Sequence, residues 1–214
     1  MSGGGKSDGG HGDPWSSAWE RAADGPVVVV DCREAIPCNP CEEACSRGAI
    51  LVGEDICAPP RFDPGRCDGC GRCVAACPGM AVFLLERPKG SGRAWITVPY
   101  EMREEMRAGL EVWAMDEEGS ALCSGKVVKA RKVGGWAGTT LVTVEVDEEW
   151  ALKVRGVRDR LISLEAPTVA QDVAQGRDYH LCRCEEVAVS GVRDIAGGFV
   201  SLGALRRCSR AGLG

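Results

Sequence analysis

The sequence predicts an α+β chain in which a tail is followed by three small modules. Most of the 13 cysteines lie between Cys32 and Cys77, in loops flanked by short β-type runs. Residues 93–146 instead alternate apolar and polar positions with the period of β-strands. Short helical segments follow near the C-terminus. We therefore predict a disordered tail at 1–25, a cysteine-rich domain at 26–90, a small β-rich barrel or sandwich ending in a helix at 91–165, a linker at 166–178 and a short helical module at 179–214.

The tail is rich in Gly, Ser and Asp and has too few apolar residues to offset the entropy lost on ordering. Trp15 and Trp19 are spaced i, i+4 within it, so a short helix that docks on an apolar surface is the alternative.

No secretory signal is evident and no apolar run approaches the ~20 residues of a membrane span, which favours a cytoplasmic protein. The net charge of −5 disfavours nucleic acid as a partner.

The densest motif runs from Cys67 to Cys77 and is followed by Pro78. Its four cysteines are separated by two, two and three residues, which is the spacing that bacterial ferredoxins use to hold cubane iron–sulfur clusters. Gly69 and Gly71 within the run permit turns with positive φ, so that loop amides can point at sulfur. The spacing therefore indicates a cubane.

A weaker copy of the motif lies upstream, from Cys32 to Ile50. When Cys45 is aligned with Cys77, the segment 47–50 falls on 79–82, and both segments pass from small residues into a β-type run. The chain therefore contains an internal duplication.

Together the two runs resemble the two-cluster, ferredoxin-like domains, over roughly residues 27 to 88. In that family the fourth cysteine of each run ligates the other cluster. The resemblance implies a ferredoxin-like dicluster domain with two [4Fe–4S] clusters, one on Cys45, Cys67, Cys70 and Cys73, the other on Cys32, Cys38, Cys41 and Cys77. The family pattern places its eighth cysteine where this chain has Ala35, so Cys32 is preferred as that ligand over Cys57 in the intervening loop.

Zinc and disulfide bonds are the alternatives for residues 32–77. Zinc sites usually take paired cysteines with a longer insertion between the pairs, whereas three or four cysteines crowd into each loop here. Thirteen cysteines in an intracellular chain favour metal over disulfides.

The β-type runs predict individual strands. Val27–Asp31 and Ala81–Glu86 are expected to pair as outer strands of the cysteine-rich domain. The β-rich region offers four further strands: Ala94–Tyr100, Leu110–Met115, Gly125–Val133 and Leu141–Val146. Cys123 among them is interpreted as a small buried hydrophobe. After them, Trp150, Val154, Val157 and Leu161 fit one face of a helix.

The C-terminal segment contains Cys182 and Cys184, then a short helix at Val192–Ala196 and a second one that ends in Ala211-Gly212-Leu213-Gly214. It is similar to the bacterioferritin-associated-ferredoxin-like module, which implies a [2Fe–2S] cluster on this cysteine pair and a second pair further on. The second pair is missing, so we expect a truncated chain, with completion by a partner or a cluster-free docking surface as alternatives. Cys208 is expected in a helix core rather than on metal, and His180 is interpreted as a linker residue.

Over most of residues 27–214 the order of modules resembles the iron–sulfur subunit of FAD-dependent amine and amino-acid dehydrogenases, the proline, hydroxyproline, sarcosine and glycine group. The resemblance implies an electron-transfer subunit in a hetero-oligomer with an FAD-containing subunit. No dinucleotide fingerprint, phosphate loop or acid–base constellation is present, so the chain is expected to carry electrons without catalysing a reaction itself. The alternatives are a cluster-bearing subunit of an unrelated oxidoreductase and a zinc-stabilised interaction module.

Overall fold

A computed structural model of the chain describes residues 14–33, 35–101 and 105–160, with short pieces at 180–182, 187–188 and 191–192. The helices are α1 (Pro14–Arg21), α2 (Pro40–Glu43) and α3 (Arg72–Ala76). The strands are β1 (Val27–Val30), β2 (Ile50–Leu51), β3 (Arg61–Phe62), β4 (Val82–Glu86), β5 (Arg93–Tyr100), β6 (Glu111–Met115), β7 (Ala121–Val133), β8 (Trp136–Asp147), β9 (Gly156–Asp159), β10 (His180–Cys182) and β11 (Val187–Ala188). None of the described helices is long and apolar enough to cross a membrane.

Seven strands form one antiparallel sheet in the order β1-β4-β5-β8-β7-β6-β9. Strand β1 is all valine and β4 is mostly Val, Leu and Phe, whereas β5 and β8 alternate apolar residues with Thr, Glu and others. The alternating apolar residues, which include Ile96, Val98, Val142 and Val144, are fully buried. The six strands predicted from period-2 or apolar runs are all present, and the predicted pairing of the first two is confirmed by the register Val27↔Leu85 to Val30↔Val82.

The sheet runs through the domain boundary that the sequence places at 90/91. Strand β4 directly follows the cysteine-rich loops and pairs with β5. Leu84 lies opposite Thr97, and Leu85 lies opposite Ile96. The cysteine loops and the β-rich region thus share one sheet. The boundary was drawn from a change in composition, which cannot reveal that strands on its two sides hydrogen-bond.

The two edges of this sheet approach each other, so the sheet is strongly curled. Asp31 directly follows edge strand β1, Arg155 directly precedes edge strand β9, and their side chains form an ion pair at 2.8 Å. Helix α1 lies along this seam, with Ala18 fully buried and Trp15 packed edge-on against Phe83 at 6.2 Å between ring centroids. A single apolar core fills the inside of the curl.

Helix α1 corrects the prediction of a disordered tail for residues 14–25, while residues 1–13 lie outside the described part. Ala18 and Ala22 provide a small face that packs into the core, and Arg87 stacks on Trp19 at 3.8 Å from the ring centroid. The structure therefore has the alternative predicted from the spacing of Trp15 and Trp19, a short helix docked on an apolar surface.

The prediction of a helix from Trp150 onwards is wrong. Residues 148–150 form a 3₁₀ turn, and Gly156–Asp159 form β9, which pairs with β6. Gly156 and the β-branched Val154 and Val157 are poor helix formers, and the N–H group of Arg155 bonds to the carbonyl of Met115 instead. The open edge of β6 therefore decides this segment's structure.

The predicted linker at 166–178 lies outside the described residues, and so does most of the module at 179–214. Its described pieces are the short antiparallel pair β10–β11 and two helical residues at 191–192.

Candidate metal centre

The Cys67–Cys77 loop is shaped by its two glycines. Gly69 and Gly71 have φ of 70° and 82°, and Gly71 is the residue before α3, which carries Cys73. A Cβ at Gly69 would lie 2.6 Å from the Pro26 side chain, and one at Gly71 would lie 2.6 Å from that of Leu141. Glycine is therefore required at both positions by backbone conformation and by space.

The upstream loop is held by short-range bonds and by the segment that follows it. Pro40 occupies the first turn of α2, which carries Cys41, and suits that position because it needs no N–H partner there. The N–H group of Cys38 donates to the carbonyl of Ile56 at 3.1 Å, and the Glu42 carboxylate accepts from the N–H group of Val52 at 3.0 Å.

The last cysteines of the two runs have the same local geometry. The Cys45 sulfur accepts a hydrogen bond from the N–H group of Ala49 at 3.2 Å, and the Cys77 sulfur accepts one from the N–H group of Ala81 at 3.3 Å. Both donors are four residues after the cysteine. These positions coincide in the alignment of the duplicated segments.

The turn between each of these cysteines and its N–H donor is also the same in the two runs. The carbonyl of Cys45 accepts from the N–H group of Gly48, and that of Cys77 accepts from the N–H group of Met80. Gly48 has φ of 60° and Met80 has φ of 51°, so a left-handed residue occupies the same place in both halves. Met80 is the one non-glycine with positive φ among the described residues.

One pocket brings together cysteines from both runs. It is lined by apolar side chains that include Val28, Ile50 and Leu84, and by four cysteines: Cys45, Cys67, Cys70 and Cys73. Burial raises the pKa of the Cys73 thiol, and the adjacent thiols of Cys67, Cys45, Cys70 and Cys41 raise it further. The Cys67 sulfur accepts from the N–H groups of Val28 at 3.3 Å and Gly69 at 3.4 Å.

A second group of thiols surrounds Cys41. Burial is the main reason that the pKa of Cys41 rises to about 12, and three neighbouring thiols add to the effect: Cys77, Cys38 and Cys32. Cys57 lies in the loop that bonds to Cys38 through Ile56, and its own N–H group donates to the Asp55 carboxylate at 3.0 Å. The eighth-ligand alternatives, Cys32 and Cys57, are thus both near this group, and Cys32 is the one that acts on Cys41.

The donor set fits an iron–sulfur cluster. Each group consists of soft sulfur donors in partly buried, apolar surroundings, where the raised pKa values mean that a metal must displace the thiol protons. N–H groups aimed at sulfur stabilise the thiolate charge that results. Across the described part of the chain, no three His, Cys, Asp or Glu side chains converge closely enough for a single ion. A cubane requires no such convergence, because each thiolate binds a different iron.

Two arginines from distant elements hold the Cys67–Cys77 loop by its carbonyls. Arg131 of β7 donates to the carbonyl of Cys70 at 2.7 Å, and Arg21 of α1 donates to the carbonyl of Cys67 at 3.3 Å. Sequence reasoning missed both residues. No local pattern marks them, because their partners lie 61 and 46 positions away.

Cys123 lies apart from these two groups. Cys123 in β7 is partly buried against the sheet core opposite Ala114, in agreement with its interpretation as a small hydrophobe. His180 and Cys182 are in β10. Cys184 and Cys208, and with them the predicted [2Fe–2S] site, lie outside the described residues.

Comparison with known proteins supports the motif. Residues 59–83 match a family described as 4Fe-4S binding domain. The chain is 36% identical over 70 residues to one subunit of the Na⁺-translocating ferredoxin:NAD⁺ oxidoreductase complex of Acetobacterium woodii, an alignment that covers 26% of this chain and 20% of the relative. It is 38% identical over 68 residues to an uncharacterized ferredoxin of Methanocaldococcus jannaschii, with 31% and 40% covered. It is 43% identical over 58 residues to one subunit of an ion-translocating oxidoreductase complex of Methanosarcina acetivorans, with 27% and 20% covered.

The chain thus spans between 20% and 40% of the length of these curated relatives. No solved structure matches it. The matched segment contains the Cys67–Cys77 run, whose loop and pocket have the geometry described above. The chain therefore contains a ferredoxin-type 4Fe–4S binding domain with at least one [4Fe–4S] cluster.

Proposed function

We propose that the chain is an iron–sulfur electron-transfer subunit that holds two [4Fe–4S] clusters and relays electrons from a flavin-dependent amine or amino-acid dehydrogenase. The main support for two clusters is that eight cysteine thiols lie in two groups of four. Each group takes three cysteines from one run and one from the other: Cys67, Cys70 and Cys73 with Cys45, and Cys32, Cys38 and Cys41 with Cys77.

The exchange of cysteines between the runs keeps the two groups close. Helices α2 and α3 pack against each other, and α3 packs against β4. Cys41, Cys73 and Cys77 share one apolar cluster with valines of β1 and β4. These thiolates would hold two cubanes close together, and the cubanes would supply one-electron chemistry there. The chain's own contribution is to fix the thiolates, exclude water and aim N–H groups at sulfur.

The proposal of a dehydrogenase partner rests on the resemblance in the order of modules. The chain has no dinucleotide fingerprint of its own, so a flavin would belong to another subunit. The named relatives favour a second candidate, because two of them are subunits of ion-translocating oxidoreductase complexes. In either case the chain acts within a hetero-oligomer.

Metal analysis of anaerobically purified protein tests the two-cluster proposal. Eight iron and eight sulfide per chain are expected if each cubane carries four of each. Cys70→Ala and Cys41→Ala should each remove one cluster, and the electron paramagnetic resonance spectra of the two reduced variants should differ. Cys123→Ala is the control and should keep full iron content. Stoichiometric zinc in protein made with adequate iron would refute the proposal in favour of a zinc-stabilised module.

The eighth ligand is tested by a matched pair of variants. Cys32→Ser should lose half of the iron, whereas Cys57→Ser should retain both clusters. The reverse result would assign the ligand to Cys57.

Copurification tests the partner. Affinity capture of the chain from its native host should recover an FAD-containing subunit, and an amine or amino acid should then reduce the clusters. Recovery of an ion-translocating complex instead, with no reduction by amines, would select the second candidate.

A further inference from the structure

Strand β7 carries a basic strip on its outer face. Four of its 13 residues are basic and none is acidic. Val127 and Ala130 face the core inside the curl, and a register shift between Val127 and Lys129 marks a β-bulge. Because the bulge absorbs one residue, Lys126, Lys129 and Arg131 all fall on the face opposite the core.

This strip meets the cysteine loop at its most exposed ligand. Arg131 donates to the carbonyl of Cys70 at 2.7 Å, and Gly71 approaches the Arg131 guanidinium so closely that a Cβ there would be 2.8 Å away. Cys70 is exposed, whereas Cys73 in the same pocket is buried. Lys129 is exposed beside this contact. The Asp68 carboxylate also lies here and accepts from the N–H group of Cys70 at 3.2 Å, but Arg47 pairs with it at 3.0 Å. With Arg131 and Lys129 added, the point where the pocket opens to solvent has a net positive charge from its side chains.

The other group of thiols has the opposite surroundings. Residues 31–55, which carry Cys32, Cys38 and Cys41, contain six acidic and two basic residues. The Asp31 side chain is buried against Arg155, but Glu43, Glu54 and Asp55 are exposed in the helix and the loop next to Cys41 and Cys38, so the surface beside this group is acidic. Since the chain as a whole is acidic, a negatively charged protein would be repelled from most of it but attracted to the strip.

We propose that the edge formed by Lys129, Arg131 and the Cys70 loop is the docking surface for an acidic one-electron redox protein. The inference rests on the proposed electron-transfer function and adds where, and to which class of partner, electrons pass. Complementary charge mainly raises the rate of encounter and orients the partner, so the surface can bind briefly and release quickly.

Nuclear magnetic resonance tests docking without electron transfer. Hexacyanochromate(III) is a paramagnetic trianion that is inert toward the clusters and broadens the amide signals of residues it approaches. In the oxidised, cluster-loaded protein we expect it to broaden the signals of Lys129 and its neighbours in β7 at lower concentration than signals elsewhere. Lys129→Glu should abolish this preference. Broadening centred on another surface would overturn the proposal.

Oxidation kinetics test whether the surface serves the cluster. Ferricyanide takes one electron from the reduced protein and becomes ferrocyanide. Lys129 is two residues from Arg131, about 7 Å at 3.3 Å per residue, and Arg131 contacts Cys70. Lys129→Glu therefore changes the charge by two units roughly 10 Å from Cys70, which should slow this reaction about fivefold at about 0.1 M ionic strength. Lys126→Glu makes the same change about 10 Å further along the strand, at 3.3 Å per residue, and should slow it only about 1.3-fold. The cationic oxidant hexaamminecobalt(III) should show the opposite order.

Iron content and reduced-state spectra of each variant are measured first, so that loss of the electron-transfer function can be distinguished from loss of the docking surface. Absence of clusters from the wild-type protein would refute the electron-transfer function. Intact clusters with equal rates for Lys129→Glu and Lys126→Glu would refute the docking surface alone.

Discussion

Asp31→Ala should open the seam where the curled sheet nearly closes. The Asp31 carboxylate accepts from Nε and Nη2 of Arg155 at 3.0 and 2.8 Å, and the two side chains are only 5% and 12% exposed. The guanidinium also lies 4.4 Å from the ring centroid of Phe83. Arg155 also lines a cleft that it shares with Asp116, Glu117 and Glu118, so the substitution leaves a largely buried cation with no carboxylate in direct contact.

Removing one partner of a buried ion pair typically costs about 3–5 kcal/mol. Nη1 of Arg155 keeps its bonds to the carbonyls of Leu152 and Val154, which places the expected loss at about 3 kcal/mol. For an ordered unit of this size, that corresponds to a drop of about 6–12 °C in the melting temperature.

The assay is thermal and urea unfolding of the cluster-free, reduced protein, followed by circular dichroism. Asp24→Ala is the control, because it removes an exposed ion pair with Lys89 and should leave the midpoint unchanged. The double variant Asp31→Ala/Arg155→Met should recover part of the loss, since no unpaired charge remains. If Asp31→Ala has the same melting temperature and urea midpoint as the wild-type protein, the ion pair does not stabilise the seam.

Three further substitutions test other features. Gly71→Ala should cost about 2–4 kcal/mol and lower iron binding, because it combines a steric clash with a positive φ, whereas Gly90→Ala, at φ of 74° in open space, should cost only about 1 kcal/mol. Met80→Gly should raise the stability of the apo protein by about 0.5–1 kcal/mol by relieving the left-handed strain that Gly48 avoids; a destabilised variant would contradict this. Burial raises the pKa of Glu86, so the folded state binds protons more tightly than the unfolded state and stability falls as pH rises above about 4. Glu86→Gln should therefore stabilise the protein at pH 7 and lose that advantage near pH 4, as urea midpoints at the two pH values would show.

The features that sequence predicted well are local ones. The six expected strands follow from runs of a few residues, and the duplication from cysteine spacing and the segments 47–50 and 79–82. The N–H bonds to Cys45 and Cys77 repeat in the same register. Such features depend on neighbours within a few positions, which a sequence displays directly.

The features that sequence missed depend on distant partners. Asp31 and Arg155 are 124 positions apart, and Arg131 contacts a carbonyl 61 positions away. The periodicity at Trp150 to Leu161 fitted a helix, but the open edge of β6 takes part of that segment as a strand. Similarly, the composition of residues 14–25 indicated disorder because their apolar partner, the seam of the sheet, forms only when β1 and β9 approach.

The pairing of β4 with β5 also limits how this cluster-bearing segment can pass between proteins. A fragment cut at residue 90 would leave the apolar strand Val82–Glu86 with an unpaired edge, open to strand addition from another chain and hence to aggregation. Gene recombination that moved the cysteine runs alone would produce such a fragment. The unit that can be inherited intact therefore includes the sheet through β9, so the surface that surrounds Cys70 is inherited together with the cysteine runs.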